Sequence, residues 1–97
     1  MITLAHALDG LRRLAPELAA RHVARIGVFG SLARGETKPG SDIDILVELT
    51  PDGDLFDLVA VKNLLEQSFG SPVDVVPVGG LKPDVRETIL REVRYAA

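Results

Sequence analysis

The chain has 97 residues, with 14 Asp+Glu against 11 Lys+Arg for a net charge of -3, and 46% of it is hydrophobic, the size and make-up of one globular domain spanning 1–97. It has no Cys, which excludes a disulfide framework or thiolate zinc site, and three Phe, one Tyr and an acidic balance argue against a base-stacking surface for long nucleic acid. No apolar run approaches the ~20 residues that cross a bilayer, and the segment Met1 to His6 lacks the pattern of a signal peptide, so a cytoplasmic location is expected.

From Thr3 to His22, Leu4, Leu8, Leu11, Ala15 and Leu18 recur in steps of four and three, which predicts an amphipathic helix capped by Thr3 and kinked or interrupted at Pro16. Ile26, Val28 and Phe29 form a short β run closed by Gly30 and Ser31. A turn of helix and a loop lead to a second strand, Asp42 to Val47, with Ile43, Ile45 and Val47 on one face. Asp54 to Phe69 reads as a helix with Leu55, Leu58, Val61, Leu65 and Phe69 sharing a face and Gly70 ending it, while Asp52-Gly53-Asp54 reads as a turn and cap. Val73 to Val76 is a third strand, and Pro83 opens a last helix carrying Val85, Ile89, Leu90 and Val93. The order α-β-α-β-α-β-α predicts an α/β (α+β) domain, a small mixed three-stranded sheet flanked by helices.

Asp42 and Asp44 flank Ile43, and the two-residue period of a strand sends both carboxylates to one face with Cα atoms ~6.5 Å apart. Like charges so placed repel unless a cation or an Arg neutralises them. Asp74 interrupts the third strand, where it is read either as a further carboxylate converging on that pair or as a strand-end cap of backbone amides. Three oxygen donors suit Mg²⁺ or Mn²⁺ rather than zinc. Without these three, the acidic residues number 11 against 11 basic ones. Gly30-Ser31 after the first strand allows an anion close to the backbone, or is simply a strand-to-helix turn. His6, His22 and Lys38 are read as ordinary surface or packing residues.

The string Val28-Phe29-Gly30-Ser31-Leu32-Ala33-Arg34-Gly35-Glu36, then Ser41-Asp42-Ile43-Asp44-Ile45-Leu46-Val47, resembles the minimal nucleotidyltransferase (MNT) domains of the DNA polymerase β-type superfamily. The resemblance implies the nucleotidyltransferase fold, with Asp42, Asp44 and Asp74 holding two Mg²⁺ ions, Mn²⁺ being an alternative, and Asp74 serving as general base. It also implies ATP as substrate, its β- and γ-phosphates held by Gly30 and Ser31. Arg34 is read either as a phosphate contact or as an ion-pair partner of Glu36 or a site carboxylate.

Only about twenty residues follow the third strand, too few for an acceptor-binding domain, so the acceptor is expected on a second copy or on a partner. MNT domains pair with HEPN toxins, which implies an antitoxin that transfers AMP to a tyrosine of its toxin. The rival expectations are an antitoxin that only occludes its toxin and a homodimeric small-molecule nucleotidyltransferase. The helix from Asp54 to Phe69 is the candidate partner face, because Phe56, Val59 and Leu64 fall off its main stripe.

Overall fold

Capping chemistry sets where the elements begin and end. A computed structural model of the chain describes residues 2–36, 40 and 42–96; Lys38 and Ser41 lie outside them. Thr3 caps α1 (Leu4–Arg13) by accepting the His6 N–H at 3.1 Å. The single helix expected over Thr3 to His22 is two helices: α1 stops at Leu14, and α2 (Ala15–Ala20) starts with Pro16 in its first turn, where a missing N–H costs nothing. His22 then turns the chain in the left-handed region, φ 63, into β1 (Val23–Phe29), which starts earlier than its apolar run suggested.

Gly30, φ 71, opens the four-residue α3 (Gly30–Ala33), and β2 (Ile43–Leu49) follows. Asp54 caps α4 (Leu55–Phe69) in a full capping box with Asp57, and Gly70, φ 64, ends it, as the sequence predicts. After β3 (Val73–Pro77) a 3₁₀ turn (Val78–Gly80) leads to α5 (Pro83–Glu92).

The sheet has four strands in the order β3-β2-β1-β4, not three. The extra one, β4 (Arg94–Tyr95), pairs antiparallel with Gly27 and Val28 of β1. Val93, expected on the last helix, is extended and caps it instead. Gly27 makes this closure feasible, because a Cβ there would lie 2.7 Å from the Arg94 carbonyl oxygen and 2.9 Å from Val93 Cγ2. The Ala96 N–H donates to the Ile26 carbonyl at 3.0 Å, and Arg12 Nε to the Ala96 carbonyl at 2.6 Å.

Phe29 and Leu46 are buried on one sheet face, while the opposite face makes the larger part of the core. Ile26, Val28, Ile43, Ile45, Val47 and Val73 pack there against Ala7, Leu8 and Leu11 of α1, Leu18 of α2, and Val61 and Leu65 of α4. Each such aliphatic side chain contributes about 1.5–3 kcal/mol by burial. Four residues of the expected α4 stripe face the core, Val61 and Leu65 buried and Leu58 and Phe69 partly buried against it; Leu55 instead is 72% exposed, and Asp57 is buried. Helix α5 buries none of its residues, so Val85 and Leu90 do not join the core.

Candidate active site

The other sheet face carries the polar groups, and strand register decides which of them meet. β1 and β2 run antiparallel with Phe29 opposite Asp44; β2 and β3 run parallel with Asp44 opposite Asp74. Directly paired residues point to the same face, so Asp44 and Asp74 stand side by side at the end of the sheet where β1 finishes and β2 and β3 begin. Asp42 precedes β2 by one residue and is exposed. Asp74 is exposed as well, because β3 is an edge strand in which only Val73 is buried.

Asp44 is half-buried and lies where negative charge accumulates. Burial is the largest cause lifting its carboxyl above the usual carboxylate range, followed by Asp74 and Asp42; Arg34 opposes them and Glu92 adds to them. Among the described residues no three acidic or His side chains are drawn together as a bound cation would draw them. The donor chemistry nonetheless fits a hard divalent ion: oxygen ligands only, with unneutralised charge centred on Asp44.

Gly30 abuts this carboxylate. Any Cβ at position 30 would collide with Asp44 Oδ2, and the positive φ independently favours glycine. The Gly30 N–H is engaged by Glu92, whose Oε1 accepts it at 2.8 Å. The other oxygen of Glu92 accepts Arg34 Nη1 at 3.0 Å, and Arg34 Nε donates to Glu36 Oε2 at 2.7 Å. Arg34 thus forms ion pairs with Glu36 and with Glu92. An open cleft of about 470 Å³, walled by Ile2, Leu4, Leu32 and Ala33, adjoins Arg34.

Glu92 is the group at this site that sequence reasoning missed. It lies 62 residues beyond Gly30 at the end of an exposed helix, and no local pattern marks it. His22, read as ordinary, has a definite structural role, since its Nδ1 lies 3.0 Å from Asp57 Oδ2.

Residues 11–96 match the family described as Nucleotidyltransferase domain. The chain belongs to this nucleotidyltransferase family. It is 41% identical over 96 residues to the protein adenylyltransferase MntA of Thermococcus cleftensis, covering 98% of this chain and 97% of that relative. A solved structure assigned as a minimal nucleotidyltransferase superposes with a TM-score of 0.84 at 35% identity, covering 96% of this chain and 95% of the other. The nucleotidyltransferase also shares its fold with a chain from the complex of a tri-AMPylated Shewanella oneidensis HEPN toxin with MNT antitoxin: TM-score 0.70, 17% identity, covering 98% of this chain and 72% of that one.

Proposed function

We propose that this nucleotidyltransferase transfers AMP from ATP, with Mg²⁺ or Mn²⁺, to a tyrosine hydroxyl of a HEPN-type partner toxin and thereby acts as its antitoxin. One observation carries the reading: the register sets Asp44 beside Asp74 and directly against the Gly30 turn, so a phosphate-approach point and the carboxylates share one place. The adenylyltransferase relative supports the group transferred, and the toxin–antitoxin complex of like fold supports the partner class.

In this mechanism Asp42, Asp44 and Asp74 would hold the divalent ions, which would supply positive charge to offset that of the phosphates. The Gly30 N–H and Ser31 position the β- and γ-phosphates, with Arg34 alongside. Asp74, exposed at the sheet edge, is open to an acceptor and takes the tyrosine proton as the oxygen attacks the α-phosphorus in line and pyrophosphate leaves. No covalent enzyme intermediate is required. The body of the partner protein, not its acceptor tyrosine, is anchored on α4, where Leu55, Phe56 and Val59 are 72%, 82% and 52% exposed, while Leu64 is only partly exposed.

The test uses α-³²P-labelled ATP with a HEPN-type toxin as the candidate partner. Label should pass to the partner, with tyrosine modified by mass spectrometry; label that never leaves ATP despite tight complex formation would mean occlusion without transfer. Phe56→Glu should weaken the complex at least about tenfold without lowering the melting temperature, since an exposed apolar anchor is lost. An unchanged complex would remove α4 from the interface.

A further inference from the structure

The two donors that the proposed triphosphate contact requires are already taken by a carboxylate of the protein itself. Glu92 spans them, one oxygen on the Gly30 N–H at 2.8 Å and the other on Arg34 Nη1 at 3.0 Å. Two oxygens on one centre, bridging a backbone amide and a guanidinium, are also what a phosphate would present. A backbone N–H carries one proton and serves one acceptor well, so Glu92 and a phosphate oxygen cannot both hold Gly30. Their negative charges also repel at that separation.

Glu92 is placed so that it can leave. Its side chain is 20% exposed, and its helix buries no residue, so turning it outward uncovers no core. The backbone after it stays tethered: Val93 packs beside Gly27, and Arg94 and Tyr95 pair with β1. Its movement is thus a side-chain rotation about a fixed strand.

We propose that Glu92 is a displaceable stand-in for phosphate, which keeps Gly30 and Arg34 paired in the nucleotide-free protein and must swing away when a triphosphate arrives. It thereby sets nucleotide affinity. This rests on the reading of the Gly30 turn as the triphosphate site. Glu92 is a competitor in the empty protein, not a group that touches the reacting atoms.

Calorimetric titration of the full chain with Mg-ATP, and separately with inorganic tripolyphosphate, tests it. Glu92→Gln should bind both about fivefold more tightly than wild type, because one charge-assisted contact no longer has to be broken. Glu92→Asp, too short to span both donors, should tighten binding in the same direction and guards against misfolding of the first variant. Glu36→Gln removes the same charge from Arg34 but leaves the Gly30 N–H untouched, so it should change affinity less than about twofold. Equal or weaker binding by both Glu92 variants makes Glu92 a fixed strut and overturns the proposal, as does equal tightening by Glu36→Gln. If wild type binds neither Mg-ATP nor tripolyphosphate, the triphosphate site itself is wrong and the proposal falls with it; tight wild-type binding without tightening in the variants overturns Glu92's role alone.

Discussion

Asp57 and Asp44 are both removed at least partly from solvent, yet their surroundings treat the negative charge in opposite ways. Asp57, at the start of α4, accepts the Asp54 N–H at 3.0 Å and faces His22 at 3.0 Å. The Asp54 backbone bond, followed by His22, holds its carboxyl below the ordinary range despite burial. Asp44, at the start of β2, meets burial, Asp74 and Asp42, and its carboxyl is pushed up. One acid is satisfied by contacts within the fold; the other is crowded by like charge that Arg34 opposes. On that contrast we give Asp57 a structural role and propose Asp44 as the reactive carboxylate.

The comparison breaks most visibly in activity. Asp44→Asn should reduce AMP transfer by at least ~10²-fold while the protein stays folded, because charge stabilisation worth several kcal/mol is lost. Near-normal transfer by a folded Asp44→Asn protein would sink the assignment. Ligand-linked stability sharpens the contrast. At ten times its dissociation constant, Mg-ATP should stabilise wild type by RT ln 11, about 1.4 kcal/mol, raising the melting temperature by roughly 6–10 °C. Asp44→Asn should lose most of that increment in a thermal-shift assay.

At the structural end, Asp54→Ala removes one half of the capping box and should cost about 1 kcal/mol, or roughly 4–8 °C in melting temperature. The transfer rate of the protein that remains folded should be unchanged. A large rate loss with no melting shift would reverse the roles assigned to the two ends.

The smallest effect is one of pH and sign. A raised carboxyl destabilises the fold when ionised, so Asp44's contribution is fully present below the ordinary carboxylate value and is lost as pH rises through its elevated one. Asp57 behaves oppositely, its contribution being present above the ordinary value and lost as pH falls through its depressed one. In the metal-free protein, Asp44→Asn should therefore gain stability at about pH 7, on the order of 1 kcal/mol or less after solvent screening, and that gain should vanish toward about pH 4. Urea melts of both proteins across that range measure it; a gain that grows in acid would contradict the raised carboxyl.

What could be read from the sequence was local. Thr3, Pro16, Asp54, Gly70 and Pro83 act within a turn of where they stand, so helix boundaries followed from them. The alternation around Ile43 and Ile45 likewise placed Asp42 and Asp44 at the entrance of a strand. The α4 stripe held except at its start, where Leu55 is exposed and an acid, Asp57, occupies an inward position that a hydrophobic pattern excludes; its capping-box and His22 contacts permit that burial. Glu92 and β4 escaped for another reason. A two-residue strand has no period, and Glu92's partners lie far off along the chain, so both depend on tertiary closure.

Gly27 gives that closure a wider importance. Without β4, the outer side of β1 would present a row of free amides and carbonyls beside the apolar Ile26 and Val28, a template for strand addition by another molecule. A missing methyl group at position 27 lets the chain's own last strand occupy the place. Glycine there thus helps keep the protein from joining edge to edge into aggregates, a contribution to solubility made by a residue that is itself buried in the sheet.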